Sequence, residues 1–130
     1  MTDFHSREFV ELLHAEQLRL HGGAAGLRDE GMLESALHRP LQKAAYGDPD
    51  LGELAAAYLF GIAKNHPFVD GNKRTALAAA DLFLYFNGYS LEADEDDLIQ
   101  FVLMVAAGDI DEDGAAAFFR DHIQPLDETA

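Results

Sequence analysis

The chain has 130 residues and a formal net charge of −15, from 24 acidic residues against 9 basic ones. That balance opposes direct binding to nucleic acid or to an anionic membrane, because phosphate contacts demand a basic surface, and it leaves room for a basic partner. The absence of cysteine excludes disulfides, thiolate metal sites and a cysteine nucleophile, and suits a reducing compartment.

A chain of this length buries roughly two-thirds of its unfolded surface, so one domain over residues 1–130 is expected. Met1 to Ser6 lacks the basic-then-apolar pattern of a signal peptide. No apolar run approaches the roughly 20 residues that span a bilayer. These features together read as a soluble, cytoplasmic protein.

From Ser6 to Leu20, the residues Phe9, Leu12, Leu13, Leu18 and Leu20 recur between charges, which predicts a first helix capped by Ser6 and ended by His21-Gly22-Gly23. Ala24 to Glu30 reads as a loop, followed by a short helix from about Gly31 to His38 that stops before Pro40. After the turn Gly47-Asp48-Pro49-Asp50, the stretch Leu51 to Asn65 is apolar nearly all round, the pattern of a central buried helix. The loop His66 to Gly71 leads into a second apolar helix from about Asn72 to Phe86, closed by Asn87-Gly88 as a left-handed C-cap. Tyr89-Ser90-Leu91 carries the one hint of extended structure. Asp94 to Ala107 predicts a helix that Asp94 caps, with acidic residues at 95 to 97 complementing the dipole and Gly108 stopping it. A last helix is predicted from about Asp111 to Ile123, with a frayed tail from Pro125. The class is all-α.

The chemistry gathers where the two apolar helices meet. Loops between rigid core elements are where functional groups are displayed, and this one reads His66-Pro67-Phe68-Val69-Asp70-Gly71-Asn72-Lys73-Arg74. Gly71 lets backbone approach a ligand closely, and the free amides of the helix start after it point outward with about half a positive charge from the dipole. Lys73 and Arg74 reinforce that field, so Gly71 to Arg74 makes a seat for phosphate. Lys64, Lys73 and Arg74 together are three of the nine basic residues, and Lys64 either steers phosphate or lies on the surface. His66, whose ordinary pKa near 6.5 suits a neutral-pH base, lies just upstream, and Asp70 offers a carboxylate for Mg²⁺ or for orienting a nucleophile. Base, carboxylate and anion cradle together point to phosphoryl or nucleotidyl transfer. A hydrolytic metal site is disfavoured, since His5, His14, His21, His38 and His122 form no ligand-spaced pair with His66 and Asp70.

The segment His66 to Ala76 resembles the motif of the Fic/Doc family, and specifically its Doc (death-on-curing) branch. The resemblance runs from the N-terminal helix through Gly26-Leu27-Arg28-Asp29 and Glu34-Ser35-Ala36-Leu37 to Asn87-Gly88. It implies a Fic-type helical bundle around a central apolar helix pair, with ATP as donor, Mg²⁺ as cofactor and a protein hydroxyl as acceptor. Position by position, His66 matches the general base, Phe68 the apolar anchor of the loop, Asp70 the Mg²⁺-linked acid, and Gly71, Asn72, Lys73 and Arg74 the anion-binding turn.

Departures from the pattern narrow the chemistry. AMP-transferring members typically have Gly where this chain has Lys73, and a second Arg where it has Leu77. Losing that Arg removes a bidentate phosphate clamp. Doc-type members share both changes and act as kinases, whereas Gly71 is the residue usual in AMP transferases and keeps nucleotide orientation open. The self-inhibitory pattern Ser/Thr-x-x-x-Glu-Gly/Asn has no match, because Glu30 is preceded four residues earlier by Gly26. Restraint is then expected from a separate Phd-type antitoxin. The resemblance thus implies a toxin kinase acting on a Ser or Thr hydroxyl of a translation factor, elongation factor Tu by family precedent. AMP transfer is the alternative, and a non-catalytic acidic helical module the reading from another class. Tyr46, near Arg39 and Lys43, falls where Fic proteins often carry a target-positioning flap.

Overall fold

The computed structural model describes residues 1–126. Six helices follow in order: α1 (Arg7–His21), α2 (Glu30–Tyr46), α3 (Leu51–Asn65), α4 (Asn72–Phe86), α5 (Glu95–Ala107) and α6 (Glu112–His122), with short strands β1 (Tyr89–Leu91) and β2 (Ile123–Pro125). The architecture is an all-α bundle built around α3 and α4.

Helix α3 is the hub because it is apolar on every side. Leu54, Ala55, Tyr58, Leu59, Ile62 and Ala63 are all buried, and α2, α4 and α6 pack around them. Its alanines and glycines let those neighbours come close. A Cβ at Gly61 would lie 3.2 Å from the backbone of Ala36 on α2, and one at Gly52 would lie 3.1 Å from the Ala116 carbonyl on α6. The start of α3 carries a capping box, in which Asp50 accepts from the Glu53 amide and Glu53 from the Asp50 amide.

Ser6 caps α1 by accepting from the Phe9 amide, and Gly22 ends it. Helix α2 differs from the expectation at both ends. It begins at Glu30 behind an Asp29 cap and runs through Pro40 to Tyr46. A proline lacks the N–H for the carbonyl four residues back, but this one is buried against the rest of the bundle. Packing along the helix thus outweighs the local defect. Tyr46 ends α2 and is 86% exposed.

The left-handed residue after α4 is Gly88 (φ 97), while Asn87 has φ −103 and bonds back to the last turn. Asp94 occupies the N-cap of α5 without making a side-chain cap bond. Gly108, at φ 89, terminates that helix. The tail expected to fray from Pro125 instead continues an antiparallel pairing of β2 with β1, Tyr89 opposite Pro125 and Leu91 opposite Ile123. Leu126 donates to the Gly88 carbonyl; the remainder of the expected frayed tail lies outside the described residues. No helix among the described residues is long and apolar enough to cross a membrane.

Candidate active site

The site forms where α3 stops and α4 starts. His66 is the C-cap of α3 and has φ 49 and ψ 55, the one left-handed non-glycine among the described residues. That conformation costs about 1–2 kcal/mol for a residue with a Cβ, so surrounding contacts must hold it. Its amide donates to the Ile62 carbonyl. The side chain is exposed and faces a cleft.

Two devices fix the loop that follows. The first is internal. Asn72, buried at the start of α4, accepts from the Phe68 amide through Oδ1 and donates to the Phe68 carbonyl through Nδ2, each at 2.9 Å. Both polar atoms of its side chain thus brace the loop.

The second device is a strap, residues 22–29. Arg28 and Asp29 amides both donate to the Pro67 carbonyl, and the Val69 amide donates to the Gly26 carbonyl. Leu27 and Phe68 form an isolated bridge. The Arg28 side chain donates to the carbonyls of Asn65 (2.8 Å) and His66 (2.6 Å). From α1, His14 stacks on Phe68 at 3.8 Å and 7°, and its Nε2 donates to the Asp70 carbonyl at 2.8 Å. Donation to a carbonyl assigns the proton to Nε2.

Asp70 is held by amides on both oxygens, Gly71 N–H at 2.8 Å and Ala24 N–H at 3.2 Å. The Gly71 amide first, then Ala24, and then the charge of Arg74 keep this carboxyl below its ordinary range. Gly23 is required beside it, because a Cβ there would come within 2.7 Å of the Asp70 carboxylate.

Gly71, left-handed at φ 76, is the N-cap of α4 and offers no side-chain cap. The first turn contains no acidic residue and displays the exposed Lys73 and Arg74. An uncapped helix start with two cations beside it has the free amides and the positive field that draw anions. The cleft in front has a volume of about 450 Å³ and brings together His66, Asp70, Gly71, Asn72, Lys73 and Arg74. Its other wall is apolar: Leu77 from α4, and Ile99, Val102 and Leu103 from α5. Volume and polarity suit a ligand with an anionic end and a flat apolar end.

Lys64 is not part of this cleft. A Cβ placed on Gly108 would lie 3.8 Å from its Nζ, so its ammonium sits near the C-terminal end of α5, where a helix dipole favours positive charge. Of the two expectations for Lys64, its exposed position outside the cleft lies with the surface lysine. The α5 wall and the contacts of His14 and Arg28 with the loop lie outside the residues expected for the site. The wall could have been suspected from the apolar spacing of Ile99, Val102 and Leu103, whereas His14 and Arg28 reach the loop through tertiary contacts with no local signal.

Residues 4–84 match the sequence model of the Fic/DOC family. The chain belongs to the Fic/Doc family. Among its relatives, it is 44% identical over 122 residues to a protein named Toxin Doc from Mycolicibacterium smegmatis, covering 90% of this chain and 91% of that one. It is 38% identical over 106 residues to a protein named Protein kinase doc from Escherichia phage P1, covering 81% and 83%. These matches place the Fic/Doc chain in the Doc branch. Among solved structures, BepC, a VirB-translocated effector protein from Bartonella tribocorum with bound AMPPNP, is similar with a TM-score of 0.58 over 94% of this chain and 76% of that one. At 13% identity that likeness concerns the fold alone.

Proposed function

We propose that this Fic/Doc chain is a Doc-type toxin acting in the cytoplasm as one domain over residues 1–130, a kinase that moves the γ-phosphate of ATP to a Ser or Thr hydroxyl of a translation factor, elongation factor Tu foremost. The observation that carries the reading is the single cleft in which His66 and the uncapped, cationic start of α4 share one space. The names of two relatives, Toxin Doc and Protein kinase doc, support it.

In this reading the acceptor hydroxyl gives its proton to the neutral imidazole of His66 as its oxygen bonds to the γ-phosphorus. The bond from that phosphorus to the bridging oxygen breaks, and ADP leaves. Lys73, Arg74 and the amides of the first turn of α4 stabilise charge on the transferring group. The apolar wall of Leu77, Ile99, Val102 and Leu103 receives the flat end of the nucleotide. Asp70 would hold a Mg²⁺ ion, since its carboxylate is fixed by the Gly71 and Ala24 amides and Mg²⁺ takes one or two protein carboxylates with the rest of its shell from substrate and water. Bound there, the ion would neutralise phosphate charge. Among the described residues no larger group of metal ligands exists. A separate Phd-type antitoxin chain would restrain the toxin.

Leu77, apolar and lining the cleft, favours phosphoryl transfer over AMP transfer, since no second guanidinium follows Arg74 on that face. Gly71, with its left-handed backbone and no side chain at the anion seat, favours the AMP-transfer reading. Incubating the chain and purified elongation factor Tu with ATP labelled at the α or the γ position separates the two. Label on protein from the γ position alone is the expected outcome; α-label would establish nucleotidyl transfer, and no label from either would sink both. His66→Ala and Asp70→Asn are each expected to abolish growth arrest in cells while leaving the circular dichroism spectrum and melting temperature close to those of the parent.

A further inference from the structure

The conformation of His66 raises the question of what holds it, and the contacts converge on one residue. The last four carbonyls of an α-helix lack intrahelical partners. Here the three successive carbonyls that leave α3 all go to the same dipeptide: Asn65 and His66 accept from the Arg28 guanidinium, and Pro67 accepts from the amides of Arg28 and Asp29.

We propose that Arg28 is a positioning residue for the base, its guanidinium fork clamping the Asn65 and His66 carbonyls so that the left-handed turn aims the His66 imidazole into the cleft. This rests on the reading of His66 as the base. Arg28 itself does not line the cleft; its side-chain bonds go to the backbone of Asn65 and His66, and it acts through them. An ordinary surface role is disfavoured by the company it keeps. In a chain with 24 acidic residues, Arg28 makes no ion pair among the described residues, whereas Arg7, Arg19, Arg39 and Arg120 each do. Its charge is directed instead at the C-terminal end of α3, where the helix dipole is negative. Two donors in one rigid plane also match two adjacent carbonyls in a way that a single ammonium does not.

The same geometry separates the two halves of the site. The anion seat is built by α4 and braced by Asn72 and His14, with no contribution from the Arg28 side chain. Releasing the fork should therefore disturb the base and spare nucleotide binding.

The test is steady-state transfer of γ-label by Arg28→Ala, with circular dichroism and thermal melting to show that the variant is folded. The expected result is a kcat at least about tenfold lower, the scale on which misplacing a reacting group is felt, with KM for ATP changed by less than about twofold. Guanidinium chloride at a sub-denaturing concentration should restore much of the lost turnover, while the same concentration of sodium chloride should not. Unchanged kcat, a KM for ATP that moves as far as kcat, or a loss that guanidinium leaves untouched would each overturn the proposal. Should Arg28→Ala fail to fold, Arg28→Lys, which keeps the charge without the fork, carries the same kinetic expectation. If the parent chain transfers no label at all, that result counts against the transferase reading alone. Arg28 is then judged by backbone carbon chemical shifts at His66, which report φ and ψ: values that leave the left-handed region in Arg28→Ala support the clamp, and unchanged values overturn it.

Discussion

Asn72 does more for the loop than its place in an anion-binding turn suggests. Both polar atoms of its side chain are bonded to the backbone of Phe68, and both residues are buried. Asn72→Ala would leave an amide and a carbonyl without partners in the interior, so a loss of about 2–3 kcal/mol is expected in urea unfolding. A loss below about half a kcal/mol would mean that water reaches Phe68 freely. His5 offers a second measurement at this scale. Its imidazole lies partly buried among Phe9, Tyr58, Phe83 and Phe86 and bonds to the Ala79 carbonyl. Burial, opposed in part by that carbonyl, holds it below its ordinary value. The unfolded chain therefore binds this proton more readily than the folded one. Stability from this group is complete above about pH 6.5 and is lost as pH falls below it towards the depressed folded value. Melting temperatures across pH 5 to 8 should fall on the acid side, and the fall should be shallower in His5→Phe, which fits the same aromatic surroundings.

Among the elements, α2 decides how the site is backed. The strap that leads into it supplies Arg28 and Asp29 to the loop, and Asn65 at the end of α3 donates to the Met32 carbonyl. The two helices cross at Gly61, where an added Cβ would sit 3.2 Å from both the Cα and the carbonyl oxygen of Ala36. Gly61→Ala should gain about 1 kcal/mol of helix propensity, yet overpacking against backbone costs about 1–3 kcal/mol because helix α2 must shift as a unit. The net expectation is destabilisation, together with reduced transfer activity, as α2 carries the strap with it. A more stable variant with full activity would show that the crossing has slack. The misjudged length of α2 has the same origin. Pro40 is a strong local stop signal, and only the burial of Leu33, Ala36, Leu37 and Pro40 along one face explains why the helix passes through it.

At the scale of the molecule, a net charge of −15 means that self-repulsion opposes compaction and that salt should relieve it. Melting temperature is expected to rise as sodium chloride increases from low to physiological strength; a fall would mean that the ion pairs, such as Arg7 with Glu30 and Glu34, outweigh the repulsion. Against this acidic field, Lys73 and Arg74 stand together at the uncapped start of α4, and that concentration of charge was legible from residue order alone. So were the bounds of α3 and α4, since an apolar helix without a polar face has one place to go, and so was the loop between them, because His, Asp, Gly and Asn there serve local backbone needs as well as chemistry. The pairing of β2 with β1, the apolar wall from α5 and the holding of the loop by His14 and Arg28 were decided by tertiary structure. The sequence by itself determined α3, α4 and the chemical groups of the candidate site between them, because propensity, capping and charge act over a few residues; how far α2 runs and which distant side chains close around those groups depend on packing between elements, and no local pattern encodes it.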